Sequence, residues 1–192
     1  MSTSITKSGI LIADGSGIGE NLIQNGYGNS IGTTWIAEGC TLTVEDDCFK
    51  ITSTSTNKRI YDNVSNVWNS GEVYTVSFLA RSDTDGAVIN ASRSIANFSP
   101  NFTLSTEWKQ YSGIITSTVT AATGTLSIRL VTASTVYLKL VKLEKGSIAT
   151  PWIPNINDDL YTSSEIGFDE GSFEGNARMA SGYMQSREFY ED

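Results

Sequence analysis

The 192-residue chain contains no histidine, only two cysteines and only three prolines. Each shortage excludes some chemistry. Without an imidazole there is no Ser-His-Asp or Cys-His nucleophilic arrangement. Two cysteines with no histidine cannot complete a structural zinc site. Long apolar runs are missing too: no window approaches the ~20 residues of a membrane-spanning helix. The opening residues Met1–Lys7 lack the apolar core of a secretory signal, so export by that route is not indicated. The formal glycosylation sequons at Asn63, Asn90, Asn97 and Asn101 are therefore read as chance in an Asn/Ser-rich chain. Basic patches are also absent. Residues 1–154 hold 12 acids and 11 bases, whereas residues 155–192 hold 9 acids and 2 bases. Neither part offers the positive surface that nucleic-acid binding requires. The acidic end is compatible with assembly on a basic surface or with a solvated, solubilising terminus.

What is present favours strands. The length fits one ordinary domain with extensions, and 39% hydrophobic residues is enough for a core. In Val73–Ala80, Tyr74, Val76, Phe78 and Ala80 fall on one face, with Thr75 and Ser77 on the other. In 124–131, Leu126, Ile128 and Leu130 oppose Ser127 and Arg129. Further strands are expected at 33–38, 40–44, 48–53, 57–62, 87–92, 101–105, 107–116 and 135–143. With no long 3.6-residue apolar period, this spacing of short strands predicts an all-β sandwich.

The turn Glu45–Asp47 predicts a hairpin in which Glu45 opposes Cys48, Val44 opposes Phe49, Leu42 opposes Ile51 and Cys40 opposes Ser53. Cys40, Leu42, Val44, Phe49 and Ile51 would then share a buried face. The cysteines are not partners in that register, so free thiols are expected, as in a reducing cytoplasm. On an apolar face Cys40 is not expected to be reactive.

The flanks differ from this middle part. The leader 3–20 holds a short strand at Ile10–Ala13 and glycines at 15, 17 and 19, whose spacing does not give G-x-G-x-x-G. It reads as a flexible loop rather than a dinucleotide fingerprint. Beyond Pro151 and Pro154 come Gly-aromatic pieces around Phe168, Phe173 and Tyr183. Such short strands cannot bury a face alone and are expected to pair with each other or with neighbouring subunits.

With the strands placed, residues 21–154 resemble the family-4/9-type carbohydrate-binding module, a CenC-like jelly roll. The resemblance rests on Asn21–Tyr27, Trp35–Cys40, Tyr74–Arg81, Thr106–Tyr111 and Val136–Glu144, in that order. The closing stretch Lys142–Trp152 looks like the form found in bacteriophage tail, baseplate and fibre proteins. The resemblance covers about 70% of the chain, from residue 21 to residue 154. It implies a jelly-roll β-sandwich in a virion structural protein (fibre, baseplate or decoration component), made in the bacterial host cytoplasm. Segments 1–20 and 155–192 would attach it to other virion proteins of capsid, neck or tail. It implies a homo-oligomer, with a homotrimer as the usual form, and host attachment through surface polysaccharide. The alternative is a purely architectural docking or spacer module that contacts only virion proteins. A module cut from a secreted glycosidase fits less well, because no signal peptide or disulfide is indicated. The family often holds a structural calcium through an Asp of the last strand. Here that strand carries Lys142, which opposes a cation, and Glu20 is the remaining candidate ligand, so no cofactor is expected.

A sugar site needs aromatic rings to stack on pyranose faces and planar polar groups to read hydroxyls. Trp68, in an amide-rich loop with Asn66, is the leading candidate, with Tyr61 and Arg59 beside it and Asp62 flanking. Arg81 and Arg93 are placed on the same face. Trp35 and Trp108 read as core or strand-edge residues, Trp152 as a clasp closing the sandwich, and Phe98–Phe102 as a loop facing a ligand, a partner or the interior. Glycoside hydrolysis needs two acids about 5–10 Å apart across a cleft. The acid clusters at 45–47, 83–85 and 158–159 fall instead in turns or the tail, where Asp is favoured for its local hydrogen bonding, so no enzyme is expected.

Overall fold

The computed structural model describes residues 19–62, 69–93, 96–118, 124–155 and 157–158, and Gly19–Asn155 forms one compact unit. The expected leader strand at 10–13 and the Gly-aromatic pieces after 158 lie outside the described residues. Those described contain strands and no helix. In chain order they are β1 (Trp35–Glu38), β2 (Thr41–Glu45), β3 (Cys48–Ser53), β4 (Lys58–Asp62), β5 (Val73–Ser82), β6 (Val88–Arg93), β7 (Ala96–Phe98), β8 (Phe102–Thr103), β9 (Lys109–Thr116), β10 (Leu126–Leu130) and β11 (Ser134–Lys145).

They form two antiparallel sheets. One runs β1-β4-β10-β6-β7, with β8 also paired to β6, and the other runs β2-β3-β11-β5-β9. Apart from the consecutive pairs β2-β3 and β6-β7, both sheets join strands distant in sequence, as a jelly roll requires. The inner faces meet in a core of Phe49, Ile51, Ile60, Tyr74, Val76, Phe78, Ile89, Ile128, Val136 and Leu138, among others. Phe78 is edge-on to Phe102 at 5.1 Å and stacked on Tyr111 at 6.0 Å. Such aromatic pairs add ~0.5–1.5 kcal/mol to the burial itself.

The first hairpin forms in the expected register, with Val44 opposite Phe49, Leu42 opposite Ile51 and Glu45 opposite Cys48. Asp46 and Asp47 both take positive φ, 50° and 55°, which a two-residue type I′ turn demands. The expected burial holds only in part. Phe49 and Ile51 are fully enclosed, Cys40 and Leu42 are half-buried, and Val44 remains 39% exposed. β2 is an edge strand with a neighbour on one side only, so its outer end lacks cover. Both cysteines are free thiols. Burial pushes both above the ordinary thiol value, and Cys40 Sγ donates to the Arg59 carbonyl at 3.2 Å. The short β7 was not expected, and the strand expected at 101–105 shrinks to Phe102–Thr103.

β11 is longer than expected and is interrupted. Its pairing with β5 slips between Lys139 and Lys142, and Leu140 sits at φ 54°. This is a β-bulge, which resets the in/out alternation. Val136 and Leu138 face the core before it; Val141 and Leu143 face the core after it. Tyr27 and Gly26 stabilise the bulge by accepting hydrogen bonds from Leu140 N (3.1 Å) and Val141 N (2.6 Å) through their carbonyl oxygens. Gly26 lies so close that a Cβ there would collide with the Val141 carbonyl oxygen.

Candidate functional site

Alternation fixes what the outer face of the sheet β1-β4-β10-β6-β7 can present. Ile60, Ile128 and Ala91 point inward as cross-strand neighbours. Their sequence neighbours therefore point outward in two transverse rows. One row is Ile36, Tyr61, Ser127 and Ser92; the other is Glu38, Arg59, Arg129 and Asn90. The rows lie ~7 Å apart, two residues along each strand.

This face is polar and largely covered. Ser127 and Ser92 are fully buried and Asn90 nearly so, whereas Arg59, Tyr61 and Arg129 are half-buried. Arg59 grips Glu38 with Nε at 2.9 Å and Nη2 at 2.7 Å, and its guanidinium lies 5.4 Å from the centre of the Tyr61 ring. Asn90 Nδ2 donates to Asn101 Oδ1 at 3.0 Å. Among the described residues, the Ser127 hydroxyl and the Asn90 side-chain carbonyl oxygen have no hydrogen-bond partner. Two buried, unpaired polar oxygens on one polar face are costly unless something binds them.

Of the residues singled out in the sequence, Arg59 and Tyr61 come together here. Asn66 and Trp68 lie outside the described residues. Arg81 does not belong with them: it projects from the outer face of the other sheet, with the core between. Arg93 is also misplaced by the sequence reading. It opposes Leu126 on the inward side and is buried. Trp35 is core, its ring tilted by 57° against that of Phe49 at 5.1 Å and its indole N–H on the Gln24 carbonyl. Trp108 is at a strand edge but not in the core, being 37% exposed. Phe102 turns inward, and the Phe98 side chain lies outside the described residues. Ser127, Ser92, Asn90 and Arg129 were missed as site residues. The alternation gave their outward direction, but only the pairing of β4, β10 and β6 brings them beside Tyr61.

The other sheet's outer face has two halves. Over one half lie Gly19 and the segment around Thr150 and Pro151, while residues 22–27 run alongside β11, Leu22 N donating to the Leu143 carbonyl and Leu140 N to that of Tyr27. Beneath them the Lys142 and Glu144 side chains, 0% and 1% exposed, form an ion pair at 3.1 Å. Lys142 Nζ also donates to Thr150 Oγ1 (2.5 Å) and the Pro151 carbonyl (2.9 Å). Glu144 accepts from Thr150 N at 2.8 Å. The ammonium thus occupies a ring of oxygen donors of the type a hard cation would seek. Burial pushes its pKa below the ordinary lysine value, and the bond to Glu144 opposes this. Among the described residues there is no cluster of three or more metal-ligating side chains, and Glu20 is exposed. The Trp152 indole N–H bonds the Val141 carbonyl at 3.2 Å and its ring meets Tyr27 edge-on at 5.7 Å, closing this end as a clasp.

No family model and no curated protein matches this chain. The fold defines a class: a jelly-roll β-sandwich matching those of carbohydrate-binding modules in solved structures. The CBM22-1 xylan-binding domain of Paenibacillus barcinonensis Xyn10C superposes with a TM-score of 0.53 at 14% identity, over 68% of this chain and 97% of that one. The CBM22-1–GH10 portion of Clostridium thermocellum xylanase 10B gives 0.54 at 17% identity, covering 67% of this chain and 29% of that one. The N-terminal cellulose-binding domain of Cellulomonas fimi β-1,4-glucanase C gives 0.48 at 17% identity, over 62% and 93% of the two chains. At these identities the likeness establishes the fold.

Proposed function

We propose that Gly19–Asn155 is a non-catalytic polysaccharide-binding module of a bacteriophage virion structural protein, a fibre, baseplate or decoration component. The observation that carries the binding reading is the outer face of β1-β4-β10-β6-β7. There a tyrosine ring, two guanidiniums and the unpaired oxygens of Ser127 and Asn90 converge. The ring, the guanidiniums and the two oxygens match what a sugar offers: an apolar pyranose face and a rim of donors and acceptors. Trp68 and Asn66, outside the described residues, stay candidates on sequence alone, a few residues beyond Tyr61. The jelly-roll neighbour described as a xylan-binding domain supports the binding reading. The virion setting rests on the Lys142–Trp152 closing sequence. In that setting the flanks 1–20 and 155–192 attach the module to other virion proteins, and a homotrimer multiplies a weak glycan affinity.

The half-buried state of Tyr61 under Arg59 favours a second reading, a docking face for another virion protein. Binding of the full-length protein to host cells and their extracted surface polysaccharide separates the two. Saturable binding that falls at least tenfold in both Trp68→Ala and Tyr61→Ala supports the glycan reading. Tenfold is about 1.4 kcal/mol, a reasonable loss for one stacked ring. A folded, oligomeric wild type that binds neither cells nor polysaccharide leaves only the docking role.

A further inference from the structure

The uncovered half of the other outer face carries a row of its own. Register places Lys50 of β3 opposite Tyr137 of β11, and Tyr137 opposite Arg81 of β5. Trp108, one residue before β9, continues the row beyond Arg81. Four adjacent strands ~4.8 Å apart make this row ~14 Å long. The Arg81 guanidinium lies 3.8 Å from the centre of the Tyr137 ring and 5.5 Å from that of Trp108. Lys139, one row along, places its ammonium 4.7 Å from the Trp108 ring centre.

The charge on this face is one-sided. Lys50 is paired with Glu45 at 2.9 Å. Among the described residues, neither Arg81 nor Lys139 forms an ion pair; each is held only against aromatic rings. Trp108 between them keeps 37% of its surface exposed. Two preorganised, unneutralised cations beside an open indole are complementary to an apolar ring bearing carboxylates. The whole chain carries a net charge of −8, so it repels polyanions in general, and attraction would have to be local to this face.

We propose that Trp108, Arg81 and Lys139 form a second binding site, on the sheet opposite the Tyr61 face, for a carboxylate-bearing polysaccharide. Trp108 stacks on a sugar ring, and Arg81 and Lys139 bind its carboxylates. Tyr137 holds the Arg81 guanidinium in place. The site is independent of the Tyr61 face and requires nothing of it.

Affinity electrophoresis of the full-length protein tests this, with polygalacturonate in the gel and fully methyl-esterified polygalacturonate as the matched uncharged polymer. The expected result is retardation by polygalacturonate at least tenfold stronger than by the ester. It should weaken at least fivefold in Trp108→Ala and in Lys139→Gln, and it should weaken on raising NaCl from about 50 to about 500 mM. Both substitutions are at the surface, and an unchanged near-ultraviolet circular dichroism spectrum confirms folding. Equal retardation by the two polymers, or none by either, overturns the proposal. So does polyglutamate binding as tightly as polygalacturonate with no loss in Trp108→Ala, which would assign the face to an acidic protein segment.

Discussion

Lys139 and Lys142 stand three residues apart on β11, on the same outer face, yet in opposite surroundings. Lys139 lies on the uncovered half, against an exposed indole and, among the described residues, without a carboxylate partner. Lys142 lies beneath the closing segments, fully buried, with a carboxylate, a hydroxyl and a carbonyl around its ammonium. The bulge at Leu140 separates them. Without it, strict alternation would send Lys142 to the core and Val141 to the surface. A single extra residue thus lets one strand serve an internally neutralised half and a half whose charge is directed outward. In one sheet, then, cations serve either cohesion or recognition, and the presence of cover decides which.

The sharpest way to break that contrast is to remove the acid from the closed half. Glu144→Gln leaves a buried ammonium without its counter-charge and should cost ~3–5 kcal/mol, read from urea denaturation at neutral pH. Lys142→Met combined with Glu144→Leu should recover most of the loss, because an apolar pair of similar size avoids the desolvation cost. A Glu144→Gln loss below ~1 kcal/mol would show that cover, not charge pairing, holds this half. A smaller effect tests the bulge. Gly26→Ala drives a methyl into the Val141 carbonyl oxygen and should cost ~1–3 kcal/mol as overpacking does, while polygalacturonate retardation through Trp108 stays unchanged. The smallest effect concerns Lys145, three residues further on and at the surface, 3.2 Å from Glu72. Glu72 also accepts from the Tyr74 hydroxyl at 2.6 Å and from Asn69 at 2.9 Å. These bonds, led by that of Tyr74, lower its pKa from 4.5 to about 2. A lowered carboxyl pKa stabilises the fold above the unfolded value, and that contribution is lost as pH falls from about 4.5 through about 2. Acid titration of Glu72→Gln should therefore show a shallower fall across this window than wild type.

Local pattern made the strands legible, and pairing distant in sequence decided the rest. The Asp46–Asp47 hairpin could be written down residue by residue, because a two-residue turn fixes register and both strands are adjacent in the chain. The faces of β5 and β10 followed from plain alternation. In β11 the slip from Leu138 to Val141 is visible as two apolar residues in succession, Leu140 and Val141, but a bulge and a simple end of strand leave the same trace. Arg81 and Arg59 both point outward, and nothing local says that β5 and β4 belong to different sheets. Arg93 looked like an exposed strand arginine until its opposition to Leu126 put it inside. Trp108 has the surroundings of a core tryptophan in sequence, and its exposure arises because β9 is an edge strand.

One detail of the closing segments bears on how force enters the domain. Asn21 Nδ2 donates to the Ile153 carbonyl at 3.0 Å, and Asn155 Nδ2 donates to the Asn21 carbonyl at 2.6 Å. The strand-bearing part therefore begins and ends at one point. A pull on the chain from both sides loads these asparagine bonds before any sheet ladder, as a zip is loaded at its slider. Tension applied between Asn21 and Asn155 would thus be borne at this closure, while both outer faces keep their shape.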